Sequence, residues 1–202
     1  MTYESTYFLP ALADIKEYLG ITSGDVASDG VLCSIATVVT YWMERYTGRK
    51  LKSRSLTEIY NGNGRDVLYT KNYPITSSAS EIAVYVDDDG VFGADTKINA
   101  TSLRIDGDNG VIHLIDDVFS EGVQNVKVVY TGGYGAGTTL VPFDLVGACF
   151  EFIGFLWKRK TGKQWELTGL NVTQGGVTFL DEWAPKTVRH VLDGYRSHRR
   201  GL

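Results

Sequence analysis

Hydrophobic positions recur along this chain with two periods, and the period changes twice. In residues 10–20, Leu12, Ile15 and Leu19 fall at helical spacing. Pro10 suits the first turn, where its missing N–H costs nothing, and Gly20 suits a C-terminal cap. A second helix is predicted from a cap at Ser28 or Asp29 to about Thr47, with Leu32, Ile35, Val39, Trp42 and Tyr46 in one stripe. The β-branched run Ile35–Thr40 is strand-like in isolation, but the stripe outlasts a typical strand.

Residues 53–130 change character. The short runs Val67–Tyr69, Ile82–Val86, Leu103–Ile105, Val111–Ile115 and Val126–Tyr130 alternate with turn clusters at Asn61–Gly64, Asp87–Gly90 and Asp106–Gly110. That spacing predicts a small antiparallel sheet or barrel. Pro74 has no N–H for a ladder, so Tyr73–Ile75 is expected at an edge or in a turn. The helical period returns from Pro142 to Thr161. Residues 165–180 read as an extended arm turning at Gly175-Gly176. A last helix starts near Pro185, with Val188, Val191, Leu192 and Tyr195 on one face. The expected class is α+β: a helical bundle of two N-terminal helices, one long central helix and one C-terminal helix, with an inserted small antiparallel β-domain. The expected segments are 1–52 and 140–162 for the helical body, 53–131 for the β-domain, and 163–202 for the arm, helix and tail.

The long helix carries too much apolar surface for a single neighbour. Asp144, Gly147, Glu151, Gly154 and Lys158 form a narrow polar or small stripe, and nearly everything else is apolar. A surface helix is usually apolar over about a third of its circumference. This one exceeds half, so it is expected to touch its own fold on one side and a further surface on another, which could be a copy of itself. Phe143, Val146, Phe150, Ile153 and Trp157 are the candidates for packing between subunits.

Composition narrows the options. Hydrophobic residues make up 43% of the 202 and aromatics 12%, enough for a real core. The formal net charge is −4, which predicts no overall attraction to nucleic acid. Residues 81–121 hold ten acids against Lys97 and Arg104, whereas residues 186–202 hold five bases against Asp193. Such an asymmetry suits interaction surfaces. Cys33 and Cys149 lie in apolar runs without a CxxC or Cys/His cluster, so buried reduced thiols are expected and no metal. The opening MTYESTYFLP has neither a basic nor an apolar leader segment, and Val141–Trp157 contains Asp144 and Glu151, so neither export nor a membrane span is expected.

Local motifs point away from cofactor chemistry. Gly132 to Gly137 matches part of a P-loop, with Thr139 in the Ser/Thr position, but Thr138 stands where the phosphate-binding lysine is required. The helix also begins about four residues too late to aim its N–H groups at an anion. The glycines read as a connector on which a β-appendage turns against a helical body. Calcium loops fail as well. Aligning Gly90 puts Tyr85 first and Thr96 last, and aligning Gly107 puts Ser102 first and His113 last. Asp87–Asp89 and Asp106–Asp108 are expected as hairpin turns. No GxSxG occurs, and His113, His190 and His198 lack recognisable partners, so no catalytic residue and no cofactor is expected. The basic end (Lys186, Arg189, Arg196, Arg199, Arg200) belongs to an amphipathic helix that points to docking on a protein surface, with direct DNA contact or a plain solvated helix end as the alternatives.

The segments in order carry a family resemblance. "LADIKEYLGI" followed by "DGVLCSIATVVTYWMERYTGRKL" resembles the opening two helices of phage head–tail connector (adaptor) proteins. "YPITS", "VKVVYTGGY" leading into "VPFDLVGACFEFIGFLWKR", and "PKTVRHVLDGYRSHR" are similar to segments found there in the same order. The compact members are almost wholly helical, so the β-insertion is a departure. The resemblance implies a virion protein at the head–tail interface, assembled in the host cytoplasm. It would form a homo-oligomeric ring of about twelve subunits under the portal protein, complete the DNA-filled head, and dock a tail or stopper protein. It implies portal binding through Pro185, Val188, Leu192, Tyr195 and Arg196, with Arg199 and Arg200 behind them. Asp144 and Glu151 would then line a channel that DNA traverses without specific binding. The competing reading is a small-ligand or carbohydrate-binding β-module with helical flanks, suggested by Tyr60, Tyr69 and Tyr73.

Overall fold

The structure, a computed structural model, describes residues 9–135, 140–162, 170–173, 176–179 and 183–197. The chain divides into two compact units, one made of Met1–Gly48 with Val141–Arg196 and the other of Arg49–Leu140 with Ser197–Leu202. The described helices and strands place the protein in the α+β class.

Among the described residues the first unit holds four helices: α1 (Leu12–Tyr18), α2 (Asp29–Thr47), α3 (Phe143–Thr161) and α4 (Lys186–Asp193). Each packs on at least two others. Gly48 closes α2 in the left-handed conformation at φ 75°, which its missing Cβ permits. Leu32, Ala36, Val39 and Met43 of α2 are fully buried, as are Leu145, Cys149, Phe152 and Ile153 of α3. Leu32 and Val39 of the expected stripe are in this buried line, whereas Ile35, Trp42 and Tyr46 are only half-buried at its margin and Ala36 and Met43 take their place. Trp42 packs edge-on to Phe152 at 5.1 Å between ring centroids, and Trp183 also meets Phe152 edge-on at 5.4 Å. Lys16 of α1, buried although charged, donates to the Ser23 and Asp25 carbonyls and pairs with Asp29 at 2.5 Å. One ammonium thus satisfies the α1–α2 loop and the anionic first turn of α2 together. The arm beyond α3 is a two-stranded antiparallel ladder, β7 (Leu170–Thr173) with β8 (Gly176–Phe179).

The second unit contains two three-stranded antiparallel sheets. In one, β6 (Gly122–Gly132) lies between β1 (Arg54–Gly62) and β3 (Ala83–Val86); in the other, β5 (Val111–Leu114) lies between β2 (Val67–Tyr69) and β4 (Leu103–Asp106). Side chains from both form one core with Leu68, Val84, Leu103, Ile112, Val126, Val128 and Tyr130 at its centre. The alternation of β6 is clean, with Val126, Val128 and Tyr130 inward and Lys127 outward over the Tyr85 ring at 4.5 Å. Pro74 follows a cis peptide bond in a turn, as its missing donor requires. Its carbonyl accepts from Gly133 N, and Ile75 bridges to Gly132.

Strand β1 is absent from the sequence-based expectation because its inward face is mixed. Arg54, Leu56, Glu58 and Tyr60 alternate with exposed Ser55, Thr57 and Ile59. Glu58 is retained there by partners. Tyr130 Oη donates to its Oε2 at 2.7 Å, Tyr60 Oη to the same oxygen, and Asn72 Nδ2 to Oε1 at 2.6 Å. Burial, reinforced by this carboxylate, raises both phenols well above the ordinary tyrosine range. Arg49 is buried nearby, with its guanidinium 4.1 Å from the Tyr73 ring centroid, and donates to Tyr73 O and Tyr134 Oη.

Candidate assembly surface

Helix α3 presents two different faces. Leu145, Ala148, Cys149, Phe152 and Ile153 are buried inside the helical unit. Burial pushes the Cys149 thiol up to about 12, which keeps it neutral and unreactive. On the opposite side Phe143 is 87% exposed, and Val146, Phe150 and Trp157 are half-buried. Ile153 is therefore removed from the candidates for packing between subunits, since its own unit covers it. The other four line the outward side.

That outward line has a regular composition. Phe143, Gly147, Phe150, Gly154 and Trp157 follow one another at steps of four, three, four and three, the spacing of a helix–helix seam. Helix α1 closes its C-terminal half: Tyr18 stacks on Phe150 at 5.0 Å, and a Cβ on Gly154 would meet Tyr18 Cε1 at 3.3 Å. Among the described residues, a Cβ at Gly147 would meet nothing within 4 Å. Sequence reading assigns both glycines to the polar stripe. Their role as holes between aromatic knobs shows only once α1 is in place.

Helix α4 docks on its own unit. Val188 and Leu192 are fully buried, so these two expected portal-binding residues serve the internal core instead. Pro185 and Tyr195 are half-buried, and Arg196 is exposed. Tyr195 Oη donates to Asp144 Oδ1 at 2.6 Å, Thr187 Oγ1 donates to Glu151 Oε1, and Tyr46 Oη donates to Asp193 Oδ1 at 2.7 Å. Asp144 and Glu151, the expected channel residues, are exposed, but each already accepts a hydrogen bond that holds α4 against α3. Arg196 lies 5.4 Å from the Tyr46 ring centroid and 3.7 Å from Asp193 Oδ1. Arg199, Arg200 and His198 lie outside the described residues.

The β-unit does not gather the residues of the competing reading. Tyr60 directs its hydroxyl into the Glu58 network, Tyr73 is covered by Arg49, and only Tyr69, at 47%, offers much ring surface. The acidic turns behave as expected of turns. Asp87 accepts from Asp89 N and Phe92 N, and Asp106 accepts from Asn109 N. Among the described residues no group of three or more His, Cys, Asp or Glu is placed to hold a metal ion, and no helix is long and apolar enough to cross a membrane. The start of the glycine run is tied down. Gly133 N donates to Pro74 O, Tyr134 N donates to Leu51 O, and Ser53 N donates to Tyr134 O. These N–H groups are taken and cannot cradle an anion. Gly133 has φ 107°, and a Cβ there would lie 2.8 Å from Lys52 C, so close backbone approach explains this glycine. The rest of the glycine run expected as a connector, residues 136–139, lies outside the described residues.

Among solved structures, the same fold occurs in gene transfer agent (GTA) particles. A chain of the native GTA virion superposes with a TM-score of 0.64 at 20% identity, over 98% of this chain and 94% of that one. A chain of the neck of an empty GTA particle, computed with C6 symmetry, gives 0.60 at 20% identity over 98% and 94%. One from the native neck, computed with C12 symmetry, gives 0.59 at 19% identity over 98% and 93%. At these identities the likeness is one of fold, and it extends over nearly the whole of both chains. No protein-family model and no curated protein sequence matches the chain.

Proposed function

We propose that this chain is a structural protein of the neck of a phage-like particle, a head–tail connector that forms a ring under the portal. The observation that carries the reading is full-length: helices and β-unit together match chains of GTA necks and virions over 98% of the sequence. The C6 and C12 symmetries of those necks support a ring of copies. A helix that leaves Phe143 87% exposed at the open end of its aromatic line fits such a ring, because every subunit of a cyclic assembly has two neighbours. The helical unit serves as the body, and the β-unit is an insertion in its sequence. The role is one of scaffolding, without catalysis or cofactor: the ring completes the DNA-filled head, lets DNA pass, and presents a landing surface to a tail or stopper protein.

Burial of Val188 and Leu192 leaves the portal contact to the exposed side of α4 and the basic residues after it: Pro185, Tyr195 and Arg196, with Arg199 and Arg200. Arginines suit bidentate pairing with acidic side chains on a partner. The test is co-sedimentation of the full chain with the portal protein of the same particle. Arg196→Glu combined with truncation after Ser197 is expected to abolish co-sedimentation while leaving the chain folded. Undiminished binding would remove the portal role from this end of the molecule.

A further inference from the structure

Resting on the ring reading, we infer which two faces of the helical unit meet between neighbouring copies: Gly147, framed by Phe143 and Phe150, receives the outward side of helix α2, led by Val38 and Tyr41, from the next copy.

The structure contains its own template for this contact. At Gly154 the missing side chain lets Tyr18 and Leu19 approach α3, and the Tyr18 ring lies flat against Phe150. One repeat earlier along the same seam the arrangement recurs without its occupant. Gly147 follows Phe143 by four positions as Gly154 follows Phe150, and among the described residues the space above Gly147 is open. A knob of the same kind, one aromatic ring beside an aliphatic residue on a helix, fits it.

The chain carries such a knob. Val38 and Tyr41, one helical turn apart on α2, are 47% and 50% exposed. They face away from the buried line through Leu32, Ala36, Val39 and Met43. The Phe143–Phe150 line likewise faces away from the buried side of α3. Helices α2 and α3 pack on each other through their buried sides, so the two outward faces belong to different sides of one unit. A ring of more than two copies requires that arrangement. Its contacts are heterologous, joining one patch to a different patch, whereas a face that met itself would stop at a dimer. The two faces are flanked by opposite charge, exposed Asp144 and Glu151 one turn either side of Gly147 and exposed Arg45 one turn from Tyr41, so a copy is a better match than a nucleic acid or an acidic partner.

The test is disulfide capture with the full chain carrying both Tyr41→Cys and Gly147→Cys. The native thiols do not interfere, because burial raises both Cys33 and Cys149. Mild oxidation at high protein concentration is expected to give a covalent ladder of multimers ending at the closed ring. Each single variant should give none. Gly147→Trp, whose side chain starts in open space, should fold with unchanged circular dichroism and fail to form rings. If rings form but the double variant gives no ladder, or if Gly147→Cys alone gives dimers, the pairing is wrong while the ring reading stands. A chain that neither cross-links nor assembles overturns both.

Discussion

Replacing Leu192 by alanine separates the internal role of α4 from an external one. Leu192 and Val188 are fully buried, and the docking is completed by Ala184, the Trp183 ring against Phe152 and side-chain hydrogen bonds near the surface. A helix of eight residues is not stable on its own, so its order depends on that docking. Deleting a fully buried leucine side chain costs about 3 kcal/mol, whereas burying the leucine and valine together contributes on the order of 4 kcal/mol before ordering entropy is subtracted. The substitution therefore removes most of the local stability of α4 and leaves the rest of the unit folded. Expressed as opening equilibria, ~3 kcal/mol is roughly a 100-fold loss of amide protection. Hydrogen exchange read by mass spectrometry should show that loss in peptides spanning 185–193 and little change in α2. Leu192→Met, which keeps volume, should restore protection. Equal loss across the whole unit would mean that α4 is no separate opening element. Unchanged protection in Leu192→Ala would refute the docking account altogether.

Three further outcomes concern the β-unit and the glycine run. Glu58→Ala leaves Tyr60, Tyr130 and Asn72 without their shared acceptor, so the β-unit should lose about 2–4 kcal/mol and melt ~10 °C or more lower by calorimetry, with Glu58→Gln intermediate. Alkaline pH should destabilise the chain. Unfolded thiols and phenols ionise near their ordinary 9.0 and 10.0, but Cys149, Tyr60 and Tyr130 stay neutral in the fold. Their contribution is whole below pH 9 and is lost as pH rises through the raised values, by about 1.4 kcal/mol per pH unit for each ionising group. Urea midpoints measured from pH 8 to 11 test this, and Tyr130→Phe should flatten the slope. Gly133→Ala forces a Cβ against the Lys52 backbone at positive φ and should cost about 2 kcal/mol or more, whereas Gly147→Ala should stabilise by up to about 1 kcal/mol. Equal effects at the two glycines, read from thermal melts, would contradict the packing described for them.

The helices were legible wherever period, cap and stop signal agreed. Asp29–Thr47 and Phe143–Thr161 fall within a residue of the expected limits because Gly48 and Pro142 mark the ends. The short strands with clean apolar runs were also legible, but β6 runs from Gly122 to Gly132 and extends well beyond the expected Val126–Tyr130. Strand β1 was hidden because a carboxylate occupies its inward side, and only the distant partners Asn72 and Tyr130 make that position tolerable. The candidate site divides in the same way. Excess apolar surface on α3 is a property of the sequence, and Phe143 remains exposed as the excess requires. Which residues stay outside is decided by α1 and α4, whose contacts lie far off along the chain. Tyr18 covers Gly154, Thr187 and Tyr195 take up Glu151 and Asp144, and Val188 and Leu192 turn inward. Helical periodicity marks Val188 and Leu192 as one apolar face without saying whether that face meets the same chain or another.

A cryo-electron microscopy reconstruction of the particle neck tests the central claim most directly. The account predicts this chain in a closed ring, with Phe143, Gly147 and Phe150 of each copy covered by a neighbour. A particle in which that aromatic line faces solvent, or a neck that lacks the chain altogether, would contradict it.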